Sequence, residues 1–371
     1  MSDLGANLRA AREEAGVSLS AMARRTHYSK PLLGLLETGK RAINPDHVTA
    51  YARALNVSVE TLYGPADDPL RIAHEWLVAP TPVEIRLGSG RRVGSALADR
   101  LAERVIELRH LDDVIGGRDL LPVVRKELAS AEHLVNEAAY TERTGRRLLT
   151  LVGELAQLAG WVSGDAGHYT EAKRLYLSGV SAAHEAGDPA LVGQLLSCLS
   201  YQIANVGDPA DALLLARSAI TGVEGRTTPL VRALLLERVA WASARARDRD
   251  GTRRALDAVD EAYERRSAGA AEPEWVYWLD RNEIDVMAGR CLIELGDPVT
   301  AEPLLSGALA AYTPEHAREV ALYRTWLAES CARAGVFDAA RTTLDHARGA
   351  ATEASSTRLD TRIAEVERLV R

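Results

Sequence analysis

Phenylalanine is nearly absent from this 371-residue sequence, with one Phe against six Trp and eleven Tyr. Lysine is scarce too: it occurs only at positions 30, 40, 126 and 173, so arginine carries almost all the positive charge. Together with abundant Ala, that bias is the one a GC-rich bacterial genome produces. The three cysteines, Cys198, Cys291 and Cys331, lie far apart in apolar settings. No CxxC or Cys/His spacing occurs, which excludes a zinc knot or a disulfide framework and leaves buried reduced thiols as the expectation. No apolar run is long enough to cross a bilayer and no signal peptide is present, so the expected location is cytoplasmic with no membrane partner. No stretch shows the alternation of a strand, so the fold class expected is all-α. HExxH, GxSxG and paired-carboxylate motifs are missing and the nine histidines are scattered, so no catalytic residue, metal or cofactor is expected and the chain does not read as an enzyme. Gly88, Gly90 and Gly94 are spaced G-x-G-x-x-x-G. That matches neither the dinucleotide fingerprint nor a P-loop, and it reads as a flexible connector.

The length suits two or three domains, and 47% apolar with 26% charged residues supports a large core. The net charge of −7 is unevenly spread: residues 1–64 hold eight Arg/Lys against six Asp/Glu, which leaves −9 on the remainder. A weakly basic head on an acidic body suits a protein whose nucleic-acid contact is confined to one end.

Residues 17–41, VSLSAMARRTHYSKPLLGLLETGKR, read as two short helices around a tight turn. Ser18 and Ser29 are N-cap residues, and Pro31 is tolerated in a first turn whose N–H groups lack partners. Met22, Ala23, Leu33 and Leu36 face inward, His27-Tyr28 makes the turn, and Thr38-Gly39 ends the second helix. Before them, Leu4, Leu8 and Ala11 recur at helical spacing until Gly16. After them, Asn44-Pro45 starts a helix carrying Val48, Ala52 and Leu55, and Ser58 starts a last one with Val59 and Leu62. This pattern resembles the lambda-repressor-like (XRE-type) helix-turn-helix family, in which the second helix of the pair enters the major groove. The resemblance implies a double-stranded DNA operator as partner and a contacting set of Arg24, Arg25, Ser29, Lys30, Pro31, Leu35, Lys40 and Arg41. Lys30, Pro31 and Leu35 fall on the family's base-reading positions, and the arginines and Lys40 suit phosphates. The sequence departs from the family at Leu19, where a phosphate-contacting Gln is common. It departs again in SKPLLGLLE, which has Gly34 inside it and no Gln, Asn or Arg.

A Pro/Gly-rich stretch follows from 64 to 69, then a possible short helix at 70–78 and a second Pro/Gly-rich stretch at 79–94. The domains expected are therefore a head over 1–64, a linker over 65–94 and a helical body over 95–371. In the body, GHYTEA, GDPADA, DGTRRA, GDPVTA and GVFDAA each place an Ala five residues after a turn residue, at Gly167, Gly207, Asp250, Gly296 and Gly335. The steps are 40, 43, 46 and 39 residues, and seven residues before each turn stands a small residue: Gly160, Ser200, Ser243, Gly289 or Ala328. Antiparallel helices approach closely only through small contact residues, so the body reads as stacked hairpins over 148–186, 190–222, 229–266, 275–312 and 315–350, capped by a helix from Thr352. This resembles the tetratricopeptide repeat, although the period is longer than 34 residues.

The resemblance to tetratricopeptide arrays implies that the first helix of each hairpin lines the concave face. Counting 13, 10, 6, 3 and 2 residues back from each turn gives an effector set of Gln157, Trp161, Gln194, Tyr201, Asn205, Glu237, Arg247 and Arg290. Glu154, Asp165, Asp248, Glu283, Glu294, Glu329 and Arg333 lie in the same rows. Trp161 and Tyr201 should form an aromatic wall, and Asn205 could clamp a peptide backbone. Seven acids against three arginines predict a negative groove that favours a cationic or peptide ligand. Head and array together resemble bacterial signal-peptide-sensing regulators. That likeness implies a homodimeric, ligand-responsive transcription factor whose repeats bind an effector, either a peptide or a small molecule. The alternative is a tetratricopeptide interaction scaffold with a degenerate head.

Overall fold

The computed structural model describes residues 4–41, 43–63, 73, 93–114, 117–313, 317–351 and 357–370. Among these the chain is helical throughout, with no strand. The expected helix at 70–78 and the connector glycines 88 and 90 lie outside the described residues. No described helix is long and apolar enough to cross a membrane.

The head packs five helices: α1 (Leu4–Glu14), α2 (Leu19–Thr26), α3 (Lys30–Glu37), α4 (Pro45–Leu55) and α5 (Val59–Tyr63). Local chemistry sets their ends. The Ser18 and Ser29 hydroxyls accept from the N–H groups of Ala21 and Leu32. Asn44 and His47 cap one another reciprocally, at 2.9 and 3.0 Å. His27 takes a left-handed conformation (φ 61°) in the turn between α2 and α3. Leu8, Met22, Leu33, Leu36, Val48 and Leu62 are fully buried at the centre. Beside them lies an ion cluster that joins α1, α3 and α4. Arg12 donates to both carboxylate oxygens of Glu37 at 2.6 Å and to the carbonyl of Val17 at 2.9 Å, and Tyr51 donates to Glu37 at 2.9 Å. The hydrogen bonds to Glu37 outweigh burial and raise the Arg12 pKa.

The body is a succession of antiparallel helix pairs. In order these are α6 (Ser95–Val114) with α7 (Gly117–Glu137), α8 (Glu142–Asp165) with α9 (Tyr169–Ala186), and α10 (Pro189–Val206) with α11 (Pro209–Gly222). They continue with α12 (Pro229–Arg245) and α13 (Arg249–Glu264), α14 (Arg281–Glu294) and α15 (Pro298–Ala311), and α16 (Ala317–Arg333) and α17 (Phe337–Ala351). The last helix is α18 (Thr357–Glu367). The architecture is thus a helix-turn-helix head plus a tetratricopeptide-type helical array. Small contact residues set the close approach within each pair. A Cβ on Gly160 would lie 2.5 Å from the Tyr176 ring, and one on Gly289 would lie 2.8 Å from Leu305. Ser200 fits by donating to the carbonyl of Ala212 at 2.7 Å. Cys198 and Cys291 are buried free thiols, whereas Cys331 is only half-buried.

The third turn corrects the expected register. Gly167, Gly296 and Gly335 are left-handed, and the residue that matches them in the third hairpin is Arg247 (φ 59°), not Asp250. Asp250 lies inside α13, whose N-cap is Asp248. Shifting the mark back by three residues makes Ala240, rather than Ser243, the small contact residue. It also brings Trp241 into the row of Trp161 and Tyr201. The step to the fourth turn is then long, and residues 265–280 fill it. They include a single 3-10 turn, Glu274–Val276, and cross to α6, where Tyr277 donates to Asp113 and packs edge-on against His110 at 4.5 Å.

Candidate functional site

Two surfaces carry functional chemistry. The first is the exposed side of α3 and its surroundings in the head. Lys30, Pro31 and Leu35 are exposed, as are Arg24, Arg25, Lys40 and Arg41. Leu32 and Leu19 are half-buried against the head core. Ser29 is spent on the N-cap, and Arg25 donates to the carbonyl of Ala54 at 3.1 Å. A Cβ on Gly34 would meet nothing within 4 Å. The outward face of α3 is therefore narrow, weakly polar and free of neighbours. The Arg12–Glu37–Tyr51 cluster holds the helix from behind.

The second surface is a cavity of about 430 Å³ in the array, beside a smaller one of about 240 Å³. Tyr201, Arg290 and Arg358 line both and stand between them. Trp161 stacks on Tyr201 at 5.9 Å and 26°, so the expected aromatic wall is present. Trp241 and Trp326 extend it edge-to-face at 5.9 Å, with the Arg290 guanidinium 4.5 Å and 4.7 Å from their ring centroids. Trp275 and Trp278 reach the larger cavity from the inserted 265–280 segment.

The polar groups converge on the Tyr201 hydroxyl. It accepts from Arg290 at 2.9 Å and from Arg358, on α18, at 2.6 Å, while Arg238 sits 4.8 Å from the ring centroid. Burial opposes ionisation of Tyr201, yet Arg290, Arg358 and Arg238 together bring its pKa down to about 7. Burial acts the other way on the acids. It pushes Glu237 up to about 8 and raises Glu283, whose carboxylate accepts from Tyr312 and Tyr323. Asp113 and Asp280 are committed to Tyr277 and to the N-cap of α14. The lining of the larger cavity holds seven acids and four arginines, and burial favours the neutral form of two of those acids, Glu237 and Glu283.

The structure brings Gln157, Trp161, Gln194, Tyr201, Glu237 and Arg290 onto the larger cavity, and Asn205 onto the smaller one. Asn205 is not free to clamp a backbone: it donates to the carbonyl of Tyr201 and accepts from the Trp241 indole at 3.2 Å. Arg247 does not join the site, because it occupies the left-handed turn and points out towards Glu294 at 3.7 Å. Arg245, two residues back, lines the smaller cavity and pairs with Glu294 at 2.9 Å. Glu237 reaches the cavity from the row ten residues before the corrected turn. Sequence reasoning missed Arg109, Arg238, Arg358 and Arg362. No repeat spacing marks them in the sequence. Among the described residues no cluster suits a metal ion.

Among solved structures, the chain is similar to that of Bacillus thuringiensis PlcR in complex with the peptide PapR7 and DNA. The identity is 11% and the TM-score 0.38, over 83% of this chain and 93% of that chain. No curated protein matches the sequence. Residues 3–62 match the family model of the helix-turn-helix domain, and the head of this chain is accordingly a helix-turn-helix domain.

Proposed function

We propose that this protein is a ligand-responsive transcription regulator. The head, residues 1–64, contacts a DNA operator of two half-sites. Residues 65–94 link it to residues 95–371, which hold the effector and supply the homodimer contact that two half-sites require. The observation that carries this reading is the pairing, in one chain, of a helix-turn-helix head with an array whose cavity is lined by buried charged groups. DNA contact rests on Arg24, Arg25, Lys40 and Arg41 at phosphates, with Lys30, Pro31 and Leu35 turned to the bases. A single cation on the outward face of α3 makes the expected affinity modest and strongly salt-dependent. That same poverty favours a second reading, in which the head no longer reads DNA and the array is a scaffold.

A mobility-shift assay of the full chain on its own promoter region decides between them. Binding that weakens steeply with salt, and weakens further in Lys30→Ala and Lys40→Ala, is the expected result. Affinity unchanged in both variants at low salt would sink the proposed mode of DNA contact. No binding at low salt would favour the scaffold.

A further inference from the structure

A buried guanidinium normally has a carboxylate or several carbonyls as partners, because an unpaired charge taken out of water is costly. The array departs from this rule in one place. Arg238 and Arg290 are 4% and 5% exposed, and neither makes an ion pair with a described carboxylate. The Nε atoms of both are buried without a hydrogen-bond partner. Among the described residues, the hydrogen-bond acceptor of Arg358 is the Tyr201 hydroxyl. Glu237 is near enough to answer Arg238, but burial favours its neutral form. Arg290 and Arg358 thus share one phenol oxygen at the edge of a cavity, with Arg238 against the same ring.

We propose that the larger cavity binds a small organic acid, with its carboxylate on Arg290 and Arg238 and a planar apolar body against Trp161 and Trp278. This rests on the reading of the array as an effector domain and names the chemical class of the effector. A carboxylate is the planar acceptor that matches a guanidinium fork, and it competes with the Tyr201 hydroxyl for Arg290. The body of the ligand is set by its walls. Trp161 and Trp278 are half-buried with ring surface on the cavity, beside Leu158 and Met287. A volume of about 430 Å³ belongs to the range of small-molecule pockets rather than to a long peptide groove. The row count favoured a cationic or peptide ligand over an anion; a cationic group would face the guanidiniums and is disfavoured.

Calorimetric titration of the full chain with four probes tests this: phenylacetate, phenylacetamide, phenethylamine and phenyl phosphate. Phenylacetate is expected to bind at least tenfold more tightly than its amide, with no heat from the amine and weaker binding of the phosphate. Arg290→Gln is expected to lose at least tenfold in acid affinity. Tyr201→Phe keeps the ring on Trp161 but removes the acceptor that occupies Arg290 and Arg358, so it is expected to bind the acid at least threefold more tightly. A gain of this kind cannot come from misfolding. Equal or tighter binding of amine, amide or phosphate would overturn the proposal. So would the absence of acid binding at millimolar concentration, or a folded Tyr201→Phe protein that no longer binds it. A mobility-shift arm with and without phenylacetate separates this inference from the broader reading. Acid binding with unchanged DNA affinity upholds the site and removes its effector role. A DNA response to the amine but not to the acid keeps the effector role and overturns the ligand class.

Discussion

The head and the array each bury arginine, and they do so in opposite ways. Arg12 is held by both oxygens of Glu37 and by a carbonyl, and Glu37 is further satisfied by Tyr51. Every strong partner is supplied by the fold itself, so the cluster is closed and serves to fix α3 against α1 and α4. Arg290 instead lies between two indoles, donates to one shared phenol and leaves its Nε unpartnered. A closed cluster stabilises; an open one keeps capacity for something else. The difference is one of completeness, since both arginines are equally buried.

The largest expected effect breaks the closed cluster. Glu37→Ala leaves Arg12 with only the exposed Glu13 carboxylate at 3.5 Å as an ionic partner and removes the acceptor of Tyr51, which should cost the head about 3–5 kcal/mol. A thermal melt of the full chain should gain an early transition, and DNA binding should vanish while the array stays folded. Arg290→Met is the counterpart. It removes a charge that pairs with no carboxylate among the described residues and shares the Tyr201 hydroxyl with Arg358, so the array's melting temperature should hold or rise. A fall as large as that caused by Glu37→Ala would show that Arg290 is structural and would erase the contrast.

The two regions also differ in how much of them was legible in the sequence. The caps at Ser18, Ser29 and Asn44 act over three residues, so residue type and spacing were enough to place them. The glycine turns and the small contact residues of the array were equally local, and they fixed all the hairpins except one. The third turn misled because Arg247 takes a left-handed conformation that glycine usually marks, and the next glycine, Gly251, belongs to the first turn of α13. Arg12, Glu37 and Tyr51 come together over separations that carry no periodic signal. The cavity was less legible still. Arg358 reaches Tyr201 from 157 residues away because α18 folds back across the concave side. The inserted 265–280 segment brings in two tryptophans that no repeat count could assign.

A second, intermediate effect sharpens the comparison through pH. Glu237 is raised from its ordinary value to about 8, chiefly by burial. The unfolded chain loses this proton near 4.5 and the folded chain near 8. The neutral group therefore favours the fold fully below about pH 4.5, and that contribution is lost as pH rises towards 8. The expected slope from this one group is about 1.4 kcal/mol per pH unit. Glu237→Gln should remove it. The variant should melt like wild type at pH 4.5 and progressively higher than wild type up to pH 8, by circular dichroism. Parallel melting curves for the two proteins across that range would mean that Glu237 is charged in the fold.

The smallest effect concerns Gly34, where the head departs from its own completeness. Glycine inside a helix costs up to about 1 kcal/mol relative to alanine, because the unfolded chain has more freedom to lose. Such a cost is usually offset by a close contact that only glycine permits. Among the described residues there is none, since a Cβ at position 34 meets nothing within 4 Å and the backbone has no positive φ. The position lies on the outward face of α3, between exposed Pro31 and Leu35 and one turn before Thr38, whose hydroxyl donates to the Gly34 carbonyl at 2.7 Å. If the helix lies in a DNA groove, the close contact that requires glycine is with the nucleic acid. Gly34→Ala should therefore raise the melting temperature of the head by a few degrees and weaken operator binding, with the two effects opposite in sign. A variant that is more stable and binds DNA as well as wild type would place the DNA contact on another face of the head.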